Sequence, residues 1–372
     1  MSTRTQLGYS MLEMMIALAT TLVVAAASLA LMRSSLTFAN TTYNVTEAEQ
    51  SLRSAHEVIN RDLTKAGDGL RGITITTPVA FVSGYLTRTP VTCTDAAYPC
   101  VGLVTSDDSI PANTAIPQLN PAANFLSPAG GTGADRISMI VRDTDFNFGN
   151  SVSVPAGKLT ISGTSTNLVV GTTAEINLFH AGEIYALSSQ ASAAFFVVSA
   201  VDATNKTITI TNGDSYGINA NSSTSPIYLT AAVSSGASTG ASAIMRLQII
   251  QYFVTNTNLL MRRVIGVQNA GFLDTVVAEH VTNMQFRYMT NLTDANGFVR
   301  QPFSNLSLST EQTAVRQVET TLGVETMRAV NAVTNANSAS TVCGANPNGK
   351  QNICSTTSTS VRNLQFRTAL TP

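Results

Sequence analysis

Tryptophan is absent from this 372-residue chain, and histidine occurs three times, at His56, His180 and His280. So few imidazoles, so widely spaced, argue against a metal centre built on clustered histidines. Charge is scarce as well. Asp, Glu, Lys and Arg make up 12% of the residues, about half the usual ~25% of globular proteins. Twenty-one basic residues against 22 acidic ones leave a net charge of −1. That balance lacks the basic surplus or stripe of an electrostatic nucleic-acid binder, and it is not the composition of a highly charged disordered chain. Catalytic signatures are missing too: there is no GxSxG elbow, HExxH pair or phosphate-binding P-loop. His180 and His280 read as parts of strand-like segments, with no spaced Ser or Cys partner. No cofactor, metal or enzymatic role is expected.

What the chain does have is apolar and unevenly placed. Hydrophobic residues make up 44% of it. Residues 14–32 carry no charge, and extending back to Tyr9 adds only Glu13. As a helix, residues 9–32 reach ~36 Å, enough to cross a ~30 Å hydrocarbon layer. A secretory signal with a small-residue cleavage site near Ala25-Ala26-Ala27 is one reading, although the run is long for a signal core and only Arg4 precedes it. An uncleaved anchor is another. Neither accounts for Glu13, because a carboxylate within lipid costs a few kcal/mol and is functional by default.

The helical pattern continues past the apolar run. Val45, Ala48, Leu52, Ala55, Ile59, Leu63 and Ala66 recur three or four residues apart, one apolar face of an amphipathic helix. Glu47, Glu49, Arg53, Glu57, Arg61, Asp62 and Lys65 supply polar positions elsewhere around it. Gly67 is placed to stop the helix as a C-terminal glycine. Gly67-Asp68-Gly69-Leu70-Arg71-Gly72 spells GxGxxG. It ends a helix and leads into the strand-like Ile73-Thr74-Ile75, whereas a nucleotide loop follows a strand and opens a helix. It reads as a turn.

Beyond it, strand-like runs alternate with turn clusters. Ile137, Met139 and Val141 alternate with Ser138 and Arg142. Residues 206–210 form another run, closed by Asn212-Gly213. Residues 244–254 and 259–265 flank the turn at Thr255-Asn256-Thr257-Asn258. Met284, Phe286 and Tyr288 share one face, as do Val318, Thr320, Leu322 and Val324. Residues 87–133, rich in Pro, Gly, Ala and Asn, read as a long inserted loop.

The string Gly8-Tyr9-Ser10-Met11-Leu12-Glu13-Met14-Met15, at the head of the apolar run, resembles the class III signal of type IV prepilins and pseudopilins. The resemblance implies cleavage by a prepilin peptidase after Gly8, N-methylation of Tyr9, and Glu13 as the carboxylate at the fifth mature position, used in assembly. Tyr9 stands where the family usually has Phe. A carboxylate in lipid prefers to be neutral or paired, and a neighbouring subunit's N-terminal amine would pair it and set the register of one helix against the next. Residues 59–67, the segments 252–254, 259–263, 278–281 and 285–288, and the ending Val361-Arg362-Asn363-Leu364 resemble PilW-like minor pilins. J-type pseudopilins of type II secretion share much of this pattern.

The fold class the resemblance implies is α+β and type IV pilin-like. It has a long N-terminal transmembrane and amphipathic helix packed on an antiparallel β-sheet domain with long loop insertions. The expected organisation is a leader over residues 1–8, a transmembrane or filament-core helix over 9–32, its amphipathic continuation over 33–67, and an extracytoplasmic β-rich domain over 68–372. The implied function is that of a minor pilin in pilus assembly or initiation. The alternatives are a J-type pseudopilin or a membrane-anchored surface adhesion protein. Implied partners are other major and minor pilins, the prepilin peptidase/N-methyltransferase, the inner-membrane assembly platform, and membrane lipid before assembly. The implied location is the inner membrane, by a single pass with the C-terminal domain in the periplasm, and then the pilus at the cell surface.

Four cysteines fall in two local pairs, Cys93 with Cys100 and Cys343 with Cys354. Local disulfides would clamp two small loops, but four cysteines permit three connectivities. An oxidising periplasm or cell surface would maintain them. Zinc knuckles need closer CxxC spacing, and buried free thiols remain a third reading. Asp107-Asp108, Asp143 with Asp145, and Asp294-Ala295-Asn296-Gly297 lack the full ligand series of a calcium loop and read as turns.

Overall fold

Helix α1 (Met11–Lys65) runs for 55 residues, ~82 Å at 1.5 Å per residue. The computed structural model describes residues 10–68, 75–76, 104–107, 134–162, 165–188, 193–219, 242–255, 257–267, 271–290, 315–328 and 350–361. Ser10 opens α1 as its N-cap, its hydroxyl accepting from the Glu13 backbone N–H at 3.3 Å, which satisfies one of the helix's orphan donors. Glu13 lies in the first turn and Lys65 in the last, each with the sign that the helix dipole favours there. Gly67 ends the helix with φ +74°, a conformation that penalises a side chain. Its N–H does not fold back on the helix as a simple C-terminal glycine's would. It bonds to the Ile140 carbonyl at 2.8 Å, so the end of α1 is stitched into a sheet.

That sheet has nine strands: β1 (Ile75–Thr76), β2 (Val104–Asp107), β3 (Arg136–Arg142), β4 (Val152–Val154), β7 (Ile184–Ser188), β8 (Ala193–Val197), β11 (Ser242–Val254), β12 (Leu260–Val267) and β13 (Gly271–Ala278). β2 falls within the stretch read from sequence as an inserted loop, and it pairs with β3. The 13-residue β11 is the spine. Leu247 pairs with Ile184 on one edge and Arg142 on the other. Further along β11, β12 and β3 flank it over residues 249–252. The hairpin expected between residues 244 and 265 is present, with Asn258 at φ +62° in its turn.

A four-stranded sheet is formed by β5 (Leu159–Ser162), β6 (Ser165–Val169), β9 (Ala200–Asp202) and β10 (Thr207–Thr211). A short helix α2 (Thr173–Ile176), closed by a Thr172–Glu175 capping box, follows β6. The third sheet holds β14 (Val281–Thr290), β15 (Val315–Glu325) and β16 (Asn352–Ser360). The sheet pairings are antiparallel apart from β1 with β8. The α+β class expected from sequence is therefore observed: a long N-terminal helix against antiparallel sheets.

Two apolar clusters explain where sequence alternation fails. One joins the docked face of α1 to β3, β11, β12, β14 and β15. The other lies between the nine-stranded sheet and the four-stranded one, and contains Tyr185, Leu187, Phe196, Ile208, Ile210 and Ile244. Strands β7 and β8 serve both: Ile184, Ala186, Phe195 and Val197 enter the first cluster, while Tyr185, Leu187, Ala194 and Phe196 enter the second. A strand covered on both faces reads as a continuous apolar run rather than an alternating one. β3 follows suit. Its expected polar face is covered, and Ser138 and Arg136 are buried with Ile137, Met139 and Val141. On β14 and β15, by contrast, Met284, Phe286, Tyr288, Val318, Leu322 and Val324 are all buried as the alternation predicts.

Candidate assembly helix and its dock

Among the described residues, the first half of α1 packs against no strand. Residues 10–40 are exposed on every side, including Met11, Leu12, Ile16, Leu18, Leu22, Val23, Leu29 and Leu31. By length and composition this is a helix able to cross a membrane, with mean hydropathy 2.2 in its most apolar window and none of that window buried. An apolar helix surface of this size left in water is strongly unfavourable. Lipid or other apolar helices would remove that cost. The hydroxyls within residues 14–32 are already satisfied. Thr20 donates to the Ile16 carbonyl, Thr21 to Ala17 and Ser28 to Val24, as a segment without water requires.

Glu13 sits at the start of this surface, exposed, on the helix's first turn. Gly8 and Tyr9 lie outside the described residues, and so do Cys93, Cys100 and Cys343. Cys354, on β16, is disulfide-bonded, and its partner falls outside the described residues.

The second half of α1 docks. Ala48, Leu52, Ala55, Ile59, Leu63 and Ala66 are buried against the sheets, and Val45 partly so. The sequence pattern assigned Asp62 to the polar side. The structure corrects this: Asp62 is 2% exposed and points inward. Tyr252 on β11 and Arg262 on β12 are cross-strand neighbours. The Tyr252 hydroxyl and the Arg262 Nε both donate to Asp62 Oδ2, each at 2.6 Å. Burial, together with the Asp62 carboxylate, pushes the Tyr252 phenol well above its usual value. Desolvation works against the Arg262 guanidinium, but its bond to Asp62 and the carboxylate's charge outweigh that and raise it. Tyrosine therefore stays a neutral donor and arginine a cation, and the carboxylate is held from two sides.

A polar ladder runs beside this clamp. His56 and Asn60, one turn apart, face Ser355, Thr357 and Thr359 on β16. The His56 Nε2 lies 3.2 Å from the Ser355 carbonyl and its Nδ1 2.9 Å from the Thr357 hydroxyl. A carbonyl only accepts, so Nε2 carries the proton and Nδ1 accepts from Thr357. Asn60 donates to the Thr357 hydroxyl at 3.5 Å and accepts from Thr359. The two periodicities match: four helical residues rise ~6 Å and two strand residues ~6.6 Å. Burial lowers the His56 pKa, and its bond to Ser355 only partly offsets that. The available sequence signal was a His and an Asn one turn apart beside the apolar face, opposite a Ser/Thr-rich strand. It was legible only once that strand was known to lie there.

Two further charged knots hold the β region. Arg246 pairs with Asp143 at 2.6 Å and with Glu183 at 3.0 Å. Gln248 and the Asp145 N–H also bond to Asp143, so the Asp143/Asp145 pair is an arginine-braced turn. The Tyr185 hydroxyl donates to Glu183. Burial, and then the Glu183 charge, raises that phenol far above its ordinary range. Arg263, fully buried, makes a bidentate bond to Asp274 at 2.6 Å and lies over the rings of Phe253 and Phe272. His180 stands in the turn before β7 and His280 in the turn between β13 and β14, not on strands as read from sequence. Among the described residues no cluster of three or more His, Cys, Asp or Glu side chains could hold a metal ion.

No protein-family profile matches the chain, and no curated protein sequence matches it. Among solved structures, a type IV-like pilin from Thermus thermophilus is similar at 14% identity with a TM-score of 0.22, over 50% of this chain and 86% of the pilin. An overlap this loose establishes no residue equivalence between the two.

Proposed function

We propose that this chain is a type IV pilin-like subunit, most like a PilW-type minor pilin, acting by assembly rather than catalysis. The observation that carries the reading is the division of α1. One continuous helix presents ~45 Å of exposed length outside the fold, ~30 Å of it apolar, while its other half is locked to the β region by Asp62, His56 and Asn60. A helix built this way holds its β cargo rigidly and offers its free half to lipid or to neighbouring helices.

In this reading the precursor sits in the inner membrane with the β region on the periplasmic side. Prepilin peptidase cleaves after Gly8 and Tyr9 is methylated. The free half of α1 then moves from lipid into a bundle of other pilins' helices, where Glu13 meets a neighbour's N-terminal amine. The disulfide at Cys354 pairs it with Cys343, and Cys93 pairs with Cys100. The β region faces outward and sets the subunit's place in the filament.

Mass spectrometry of the mature N-terminal peptide from native membranes tests the reading. A peptide that begins at N-methylated Tyr9 supports it. A start at Met1, or one beyond about Ala27, overturns it and leaves an anchored or secreted β protein.

A further inference from the structure

The exposed half of α1 carries its own ruler. Glu13 and Arg33 are the charged residues that bracket the apolar run, and they stand 20 residues apart, ~30 Å along the helix axis. That equals the thickness of a bilayer's hydrocarbon core. The hydroxyls between them are bonded back to helix carbonyls. Just beyond Arg33, Leu36 and Phe38 are exposed by 55% and 73%. They rise only ~4.5 and ~7.5 Å above Arg33, within the ~5–7.5 Å depth of a headgroup layer. Being two residues apart, they point to opposite sides of the helix. A groove on one protein partner would cover one side of a helix, whereas lipid in the membrane stage covers both, as a bundle of helices does after it.

We propose that Arg33, Leu36 and Phe38 form a lipid-interface anchor in the leaflet nearer the β region, with the Arg33 guanidinium on lipid phosphate and the two apolar side chains at the boundary. This rests on the membrane stage of the function proposed above and adds the register of the helix within it. The same ruler places Tyr43 ~15 Å beyond Arg33 and Ala48, the first fully docked residue, ~22 Å beyond it. The anchor therefore holds the β region on a bare helical stalk clear of the headgroups, within reach of neighbouring subunits and off the membrane surface. Arg is suited to the position because its planar fork bonds phosphate bidentately, and a long cationic side chain near a span's end reaches outward to the headgroups.

The absence of tryptophan makes the test clean, since any tryptophan introduced is the only one. The full chain, reconstituted in phosphatidylcholine–phosphatidylglycerol vesicles, is examined as the variants Val24→Trp, Phe38→Trp and Tyr43→Trp. The readout is quenching by lipids brominated either near the headgroup or deep in the acyl chain. The expected pattern is deep quenching for V24W, shallow quenching for F38W and none for Tyr43→Trp. Adding Arg33→Leu to Phe38→Trp removes the boundary charge, and the Trp signal should move toward the deep quencher. If V24W is quenched but F38W is not, the membrane stage stands and the anchor is overturned. If Arg33→Leu leaves the F38W depth unchanged, the role given to Arg33 is overturned. If V24W itself is unquenched, the membrane stage fails and the anchor with it.

Discussion

The two halves of α1 are one uninterrupted helix, yet they invert the usual relation between polarity and burial. The outer half holds a long apolar run, Leu22, Val23 and Leu29 among it, and leaves it exposed. The inner half is amphipathic and buries a histidine and an aspartate, His56 and Asp62. Hydrophobicity alone does not decide which residues lie inside this fold. What decides it is which surface stands opposite. The inner half faces strands that offer matching donors and acceptors, so its polar groups can be buried with partners. The outer half extends past the β region, and none of the described strands stands opposite it.

The sharpest way to break that contrast is at Asp62. Asp62→Ala removes the acceptor that Arg262 and the buried Tyr252 hydroxyl share, and leaves the phenol only its longer 3.4 Å bond to the Val58 carbonyl. The expected loss is about 3 kcal/mol, the low end for a broken buried pair because Arg262 is partly exposed. It would be read as a fall in the urea midpoint in detergent. The double variant Asp62→Leu with Arg262→Met should recover much of it, since apolar replacement of a whole buried pair is often neutral. Next comes Ile59→Ala, which empties a fully buried site on the docked face. It should cost about 2–4 kcal/mol in the same measurement.

A smaller effect follows from His56. Its pKa is lowered on folding from a reference of 6.5, chiefly by burial. The unfolded chain therefore binds the proton more readily than the folded one. Stability contributed by the neutral ring is present above the unfolded value and is lost as pH falls below about 6.5. Unfolding midpoints measured between neutral and mildly acidic pH should fall more steeply for the parent than for His56→Gln. Asn60→Ala removes the rungs to Thr357 and Thr359 and should cost about 1 kcal/mol. Smallest of all, Leu22→Ala in the exposed half should shift the same midpoint by less than about 0.5 kcal/mol, although Leu22 is as hydrophobic as any docked residue. A large loss there would mean that the outer half also packs on its own β region.

The periodic part of this architecture could be read from the chain. Residues 14–32 announced an apolar helix, and the spacing from Val45 to Ala66 placed the docked face on the residues the structure buries, Val45 only partly. The alternation in β14 and β15 gave their inward sides. A covalent sequence carries these patterns locally, because 3.6- and 2-residue periods follow from backbone geometry alone. The nearly continuous apolar stretch of β7 and β8 was less legible, because two cores meet on its two faces and erase the alternation.

The dock itself lay beyond the sequence. Asp62 looked like a solvent-facing residue until β11 and β12 brought Tyr252 and Arg262 to it from 190 and 200 positions away. His56 and Asn60 needed β16, about 300 positions along the chain, to become rungs rather than surface polar residues. Gly67 was legible as the end of the helix, but not as the point where its N–H joins β3. The sequence determined by itself that the chain has a long helix with an apolar half and an amphipathic half. Only the tertiary structure decided which polar groups of the amphipathic half are buried. Burying a polar group is favourable only when a specific partner is held within hydrogen-bond reach, and for Asp62, His56 and Asn60 the fold alone supplies one.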